Sequence, residues 1–252
     1  MLQGKRGLIV GVANTGSIAA GCARAYSAAG ARLALTFLSD KAHPHVAPVA
    51  QEVEAEALLP LDVRDDAQMD AVFAWIAQNW GGLDFLLHSI AFCPKDDLHG
   101  RVTDCSRDGF AAAMDISVHS FLRMAQRAEP LMTAGGSLTT VSYYGAEKVV
   151  DHYNIMGPVK AALESVTRYV ASELGPRGIR VNALSPGPLM TRAASGIDHF
   201  DDLMASAETR APLRRLVTID EVGAMAACLA SDQGAALTGD VIHVDGGYHV
   251  MS

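Results

Sequence analysis

Two tyrosines and a lysine stand at spacings suited to proton chemistry. Ser142-Tyr143-Tyr144 closes a short β-rich run, and Tyr153-Asn154-Ile155-Met156-Gly157-Pro158-Val159-Lys160 opens a helical one. A tyrosine seven residues ahead of a lysine lies two helical turns away on the same face. A free phenol, with a pKa of about 10, is a poor acid–base group at neutral pH, but an adjacent ammonium stabilises its phenolate and brings it towards the working range. The bland alternative is an amphipathic pair, with Tyr153 packed and the Lys160 stem lying along an apolar surface. Pro158 lies between the two, and a proline beyond the first turn removes a hydrogen bond and kinks the helix, so the helix is expected to start close to Tyr153.

A second chemistry is written near the N-terminus. Gly11-Val12-Ala13-Asn14-Thr15-Gly16-Ser17-Ile18-Ala19 follows the first apolar run and leads into an Ala-rich helix. Glycine permits the tight turn, and a helix N-terminus offers free N–H groups and a positive dipole end to a pyrophosphate. Many αβ turns carry glycine merely to turn. Position strengthens the dinucleotide reading: first strand, first turn, and small Ala19, Ala20 and Gly21 for close helix packing. Ser17 stands where the G-x-G-x-x-G fingerprint has a glycine, and its hydroxyl is placed to donate to a phosphate oxygen. The Lys160 ammonium would then hold the nicotinamide ribose beside the proton donor. The second strand ends Thr36-Phe37-Leu38 with Asp40 late, and Lys41 is the nearby cation, so NADH and NADPH both stay open.

These residues need a scaffold, and the hydrophobic pattern supplies one. Seven apolar runs read as strands at 7–12, 32–37, 57–63, 83–91, 137–143, 180–186 and 241–247, alternating with helical patterns at 17–29, 66–80, 106–133, 153–174 and 220–231. Such alternation builds right-handed crossovers onto a parallel sheet, and near-continuous apolar strands fit a sheet covered on both faces. The fold expected is a Rossmann-type α/β domain: a doubly wound, parallel, seven-stranded sheet over residues 1–252. The least patterned stretch, 188–212, reads as a substrate-covering segment, because ligands in open α/β sheets bind at the carboxyl ends of the strands. Gly246-Gly247 reads as the end of an edge strand.

Composition excludes other classes. With 20 basic against 28 acidic residues, a net charge of -8 and no Lys/Arg run, the chain lacks the signature of a nucleic-acid binder. Four scattered cysteines form neither a disulfide framework nor a thiolate metal site. His43-Pro44-His45 does not match a helical ligand pair and reads as an exposed loop, so no metal is expected. No stretch reaches the roughly 18 apolar residues of a membrane helix and no signal-peptide core precedes the first strand, so a soluble cytoplasmic protein is expected.

The whole chain resembles the short-chain dehydrogenase/reductases, and within them the bacterial enoyl-acyl-carrier-protein reductases. The likeness rests on the 11–19 turn ending Ser-Ile-Ala, HSIAF (88–92), DIS (115–117), SYYGAE (142–147), YNIMGPVK (153–160), RVNALSPGPLMTRAASGI (180–197) and VDGGY (244–248). Ketoreductases of that superfamily carry an Asn-Asn-Ala-Gly-like turn and a helix Asn where this chain has His88-Ser89-Ile90-Ala91 and Asp115. Thr140 stands where their catalytic serine would be, thirteen residues before Tyr153.

The resemblance implies hydride delivery to the β-carbon of a trans-2-enoyl thioester on acyl carrier protein or CoA, with NADH as cofactor by default and NADPH possible. It makes Tyr143, Tyr153 and Lys160 the catalytic set. Gly11, Ala13, Ser17, Ile18, Leu38, Asp62, Val63, Ser89, Ile90, Ala91, Ile116, Gly187, Pro188, Leu189 and Thr191 would surround the cofactor, with Lys160 on its ribose. Ala91, Tyr143, Tyr153, Met156, Ala193 and Phe200 would line the substrate pocket. A homotetramer with the C-terminal region at a subunit interface is implied as well. The competing readings are a ketoreductase or imine reductase, a pathway-specific enoyl-thioester reductase, and a non-catalytic dinucleotide-binding protein.

Overall fold

A computed structural model describes residues 1–191 and 200–251. Seven strands, β1 (Arg6–Val10), β2 (Arg32–Phe37), β3 (Ala57–Pro60), β4 (Phe85–His88), β5 (Gly136–Val141), β6 (Ile179–Pro186) and β7 (Val241–Val244), form one sheet in the order β3-β2-β1-β4-β5-β6-β7. Every pairing is parallel. Each expected strand is present, with ends shifted by one to a few residues. Side chains alternate faces along a strand, so Leu8 and Val10 of β1 enter one core while Ile9 enters the other.

The helices divide accordingly. α1 (Ile18–Ala28), α2 (His43–Glu52) and α9 (Ile219–Ala230) cover one face. α3 (Asp66–Trp80), α5 (Arg107–Met114), α6 (Ser120–Ala128) and α7 (Met156–Leu174) cover the other, after the short α4 (Lys95–Leu98). α8 (Phe200–Arg210) lies within the poorly patterned 188–212 stretch. Polar caps start several of them: Ser17 for α1, Asp65 for α3, Ser106 for α5 and a Thr218–Glu221 capping box for α9. α1 and α9 cross at two glycines; a Cβ on Gly21 would stand 2.3 Å from the Ile219 carbonyl oxygen, and one on Gly223 2.4 Å from that of Gly21.

Three local expectations are corrected. His43-Pro44-His45 is the first turn of α2, where a proline's missing N–H is not needed. The 106–133 helix is broken by a widened turn, Asp115–His119, between α5 and α6. α7 begins at Met156 and not at Tyr153: Pro158 is kept within the first turn, and Tyr153 sits in the turn ahead of it.

Candidate active site

Tyr143 follows the end of β5, and Tyr153 meets it edge-on with ring centroids 4.8 Å apart. His152 and Asn154, on either side of Tyr153, hold left-handed backbone at φ 64° and 45°. Such conformations are costly for side chains larger than glycine and persist where surroundings enforce them. Asn154 contributes to that enforcement, its Nδ2 donating to the Leu98 carbonyl at 2.9 Å. From α7, Lys160 donates to the Val141 carbonyl at 2.6 Å, and Glu164, one turn later, accepts the Ser142 hydroxyl at 2.5 Å. α7 thus clasps the last residues of β5 and fixes where Tyr143 emerges.

Burial pushes the Lys160 ammonium down to about 8, against the opposing pull of Glu164. The same burial raises both phenols, reinforced at Tyr153 by Tyr143 and Glu164, and at Tyr143 by Tyr248 and Tyr144. Desolvation therefore outweighs the phenolate stabilisation expected of Lys160, and the two phenols are protonated donors at neutral pH. The Tyr143 Oη is buried with no hydrogen-bond partner among the described residues. A native buried polar group left unpaired calls for a functional explanation.

The remaining candidates lie where strands give way to loops on the carboxyl edge. Gly11 leaves β1 at φ 108°, and a Cβ there would stand 2.1 Å from the Ser89 carbonyl oxygen beyond β4. Only glycine fits, and the backbones of β1 and β4 close up at the point where the strand order reverses, the usual dinucleotide crevice. Ser17 caps α1: its hydroxyl donates to the Asn14 carbonyl at 2.8 Å and accepts from the Ala20 N–H. Its one proton goes to the loop in this structure, and the backbone N–H groups of the first turn of α1 are the donors left open at that helix end.

Ile90, Ile116, Tyr143, Tyr153 and Met156 share one apolar cluster, while Ile18 and Leu189 pack in the cluster on the opposite face. Val63 is buried, whereas Ala91 and Leu38 are exposed. Asp62 is ion-paired with Arg64 at 2.5 Å, which holds its carboxyl below the usual range. Ala13, Gly187 and Pro188 occupy the loops after β1 and β6, with Gly187 N–H bonded to the Val244 carbonyl at 3.0 Å. Thr191 is half-buried at the end of the described loop, Phe200 is buried at the start of α8, and Ala193 lies outside the described residues. A cleft of about 720 Å³ opens beside the Tyr153 turn between Tyr144–His152, α8 and the C-terminal Tyr248–Met251.

Sequence reading gave no role to Asn154, Glu164 or His88. The i, i+4 spacing of Glu164 from Lys160 was the available signal for one of them; the other two announce themselves only through backbone conformation and cross-strand contacts.

Residues 11–249 match the family model described as enoyl-(acyl carrier protein) reductase. The chain is 53% identical over 251 residues to enoyl-[acyl-carrier-protein] reductase [NADH] 1 of Rhizobium meliloti, covering all of this chain and 92% of that protein. It is 45% identical over 252 residues to the NADH enoyl-[acyl-carrier-protein] reductase of Escherichia coli, covering all of this chain and 96% of that one. The enoyl-acyl-carrier-protein reductase of Anaplasma phagocytophilum, solved with NAD, superposes with a TM-score of 0.96 at 48% identity, covering the whole chain and 96% of its own. That of Bacillus cereus, solved with NADP+ and an indole naphthyridinone, gives 0.97 at 44%, covering the whole chain and 98% of its own. With end-to-end matches of this kind over a site of this geometry, the chain belongs to the enoyl-(acyl carrier protein) reductase family.

Proposed function

We propose that this chain is an NADH-dependent enoyl-acyl-carrier-protein reductase, saturating the 2,3 double bond of a trans-2-enoyl thioester in fatty-acid biosynthesis. The observation that carries the reading is the edge-on contact of half-buried Tyr143 with buried Tyr153, with the Tyr143 hydroxyl buried and unpaired and Lys160 clasping the end of β5 just before them. The site fits a dinucleotide on its own terms: Gly11, which no side chain could replace against the Ser89 carbonyl, lets the β1 and β4 backbones close up beside the free N–H groups that begin α1. Ser89, Ile90, Ile116 and Leu189 would line the nicotinamide end, Val63 and Leu38 the adenine end, and Lys160 would hold the ribose. Leu38 is 59% exposed, an apolar surface that a flat ring would cover, and no arginine stands beside it for a 2′-phosphate.

NADH, when bound, supplies a hydride to the β-carbon. Tyr153, kept protonated by burial, donates a hydrogen bond to the thioester oxygen as negative charge develops there, and so stabilises the enolate. The enolate then takes a proton from solvent at the α-carbon, balancing the reduction. Tyr143 donates towards the same thioester, and Met156 and Phe200 bound the acyl side. α8 covers the cleft, to which it contributes Asp202, Leu203, Ser206 and Arg210. We infer a homotetramer, supported by exposed Phe110, Leu122 and Tyr169 on the α5–α6–α7 layer, and a cytoplasmic enzyme, in keeping with four free thiols.

Ketone reduction is disfavoured by Thr140. Its hydroxyl is fully buried and bonded to His88 at 2.9 Å, so it does not serve as the second donor a ketoreductase needs. The test is the absorbance of reduced nicotinamide, with NADH and NADPH offered in turn against a 2-enoyl and a 3-ketoacyl thioester. Oxidation of NADH by the enoyl substrate is expected; turnover of the ketoacyl substrate alone would overturn the reading.

A further inference from the structure

His88 is the last residue of β4, fully buried, and both of its ring nitrogens are engaged. Nδ1 lies 2.9 Å from the Thr140 Oγ1 on β5, and Nε2 lies 2.8 Å from the Ser120 Oγ at the start of α6. The Ser120 Oγ in turn lies 2.6 Å from the Ile116 carbonyl oxygen. These contacts join two strand ends to the widened turn between α5 and α6.

The widening explains why Ser120 is needed. Its backbone N–H reaches back five residues to the Asp115 carbonyl, leaving the Ile116 carbonyl that an α-helix would give it. The Ser120 hydroxyl covers that carbonyl instead. On the other side of the turn, the Ser117 Oγ accepts from the Phe92 N–H at 3.0 Å and donates to the Phe92 carbonyl at 3.2 Å. The turn is therefore pinned both to β4 and to the loop that follows it.

Proton counting fixes the imidazole. Ser120 has one proton, and a 2.6 Å oxygen–oxygen approach to a carbonyl requires it there. Ser120 must then accept from His88, so Nε2 carries the hydrogen and Nδ1 is left as an acceptor, which takes the Thr140 proton at 2.9 Å in preference to the His88 carbonyl, 3.3 Å from the same hydroxyl. In the opposite tautomer the Ser120 proton would turn to Nε2 and the Ile116 carbonyl would lose its donor.

We propose that His88 is a positioning residue of the nicotinamide pocket: locked as the Nε2–H tautomer, it holds Ser120 and thereby the widened turn bearing Ile116 against Ser89 and Ile90. This rests on reading the carboxyl edge as the cofactor site. His88 touches neither hydride nor proton; it sets the height of the pocket floor, and its loss acts first on cofactor affinity.

The test has two readouts that need no turnover. Two-bond nitrogen–proton couplings in ring-labelled protein, assigned by loss of the signal in His88→Gln, should show His88 protonated at Nε2. NADH affinity, read from nicotinamide fluorescence, should fall about tenfold in Ser120→Ala, the cost of one buried donor. His88→Leu should behave likewise, and His88→Gln, which keeps a donor towards Ser120, should recover most of the affinity. In steady state the loss should appear in KM for NADH, with kcat at saturating cofactor nearly unchanged. An Nδ1–H tautomer, or wild-type NADH affinity in a folded Ser120→Ala protein, overturns the proposal even if His88→Leu does not fold. Tight NADH binding with the Nε2–H tautomer but no enoyl reduction would instead overturn the proposed activity and leave this inference standing.

Discussion

The hydroxyl of Tyr143 is in a poor position for stability and a good one for binding, since it is buried and finds no acceptor. Replacing a buried, unpaired polar group with an apolar one of the same shape is neutral or stabilising by about 1 kcal/mol. Tyr143→Phe should therefore keep or raise the melting temperature while lowering kcat/KM for the enoyl thioester; a destabilised but fully active variant would show that the hydroxyl is structural. Lys160 makes a separate prediction. Its ordinary value of 10.5 is depressed to about 8 by burial, so between these limits the unfolded chain binds a proton that the folded chain has released. Stability gained from this group is then absent below pH 8 and grows as pH rises, by about 2 kcal/mol between pH 8 and 10. Above that window the raised phenols reverse the slope, because the unfolded tyrosines ionise first. The raised thiols of Cys22 and Cys93 pull the other way over the same range in both proteins, so urea denaturation should show the wild type gaining about 2 kcal/mol relative to Lys160→Met from pH 8 to 10; parallel curves would mean that Lys160 is not desolvated. The Tyr153–Lys160 spacing was legible as chemistry in the sequence. The conformation presenting Tyr153 was not: His152 and Asn154 are types that favour left-handed backbone, but that weak preference was masked by the helical spacing that follows them.

Among the elements, buried parallel strands are the most legible, because a sheet covered on both faces demands unbroken apolar runs such as Leu8-Ile9-Val10 and Phe85-Leu86-Leu87. Helix interruptions are less so. The widened turn at Asp115–His119 keeps helical periodicity on either side; the Ser120 hydroxyl covers the carbonyl its altered ladder leaves, and Ser117 ties it to Phe92. α2 was missed for a related reason: Pro44 between two histidines read as an exposed loop, yet it falls in the first turn where its ring is tolerated. The α1–α9 crossing gives a prediction at this scale. Gly223→Ala would drive a methyl to 2.4 Å from the Gly21 carbonyl oxygen and force two helices apart, costing about 1–3 kcal/mol by chemical denaturation. If α1 holds the pyrophosphate as proposed, NADH affinity should weaken with it; unchanged stability would mean that the helices have room to separate.

For the whole molecule, the strand order matters more than any single motif. Reversal between β1 and β4 opens the crevice, and the loops after β1, β4, β5 and β6 all deliver their residues to the same edge. That convergence was inferable from alternation of strands and helices, whereas a tetramer is implied only by resemblance. Light scattering should give a mass four times that of the chain, with Tyr169→Glu, a charge placed on the exposed α7 face, shifting it towards smaller species. A monomer fully active at all concentrations would remove the tetramer. The account as a whole turns on whether the protonated phenol of Tyr153 stabilises charge on a thioester oxygen. Steady-state NADH oxidation with a 2-enoyl thioester, compared between wild type and Tyr153→Phe, measures this directly. A loss of about a hundredfold or more in kcat, with KM for NADH unchanged, is the predicted result for one oxyanion donor; equal kcat in the two proteins would contradict it.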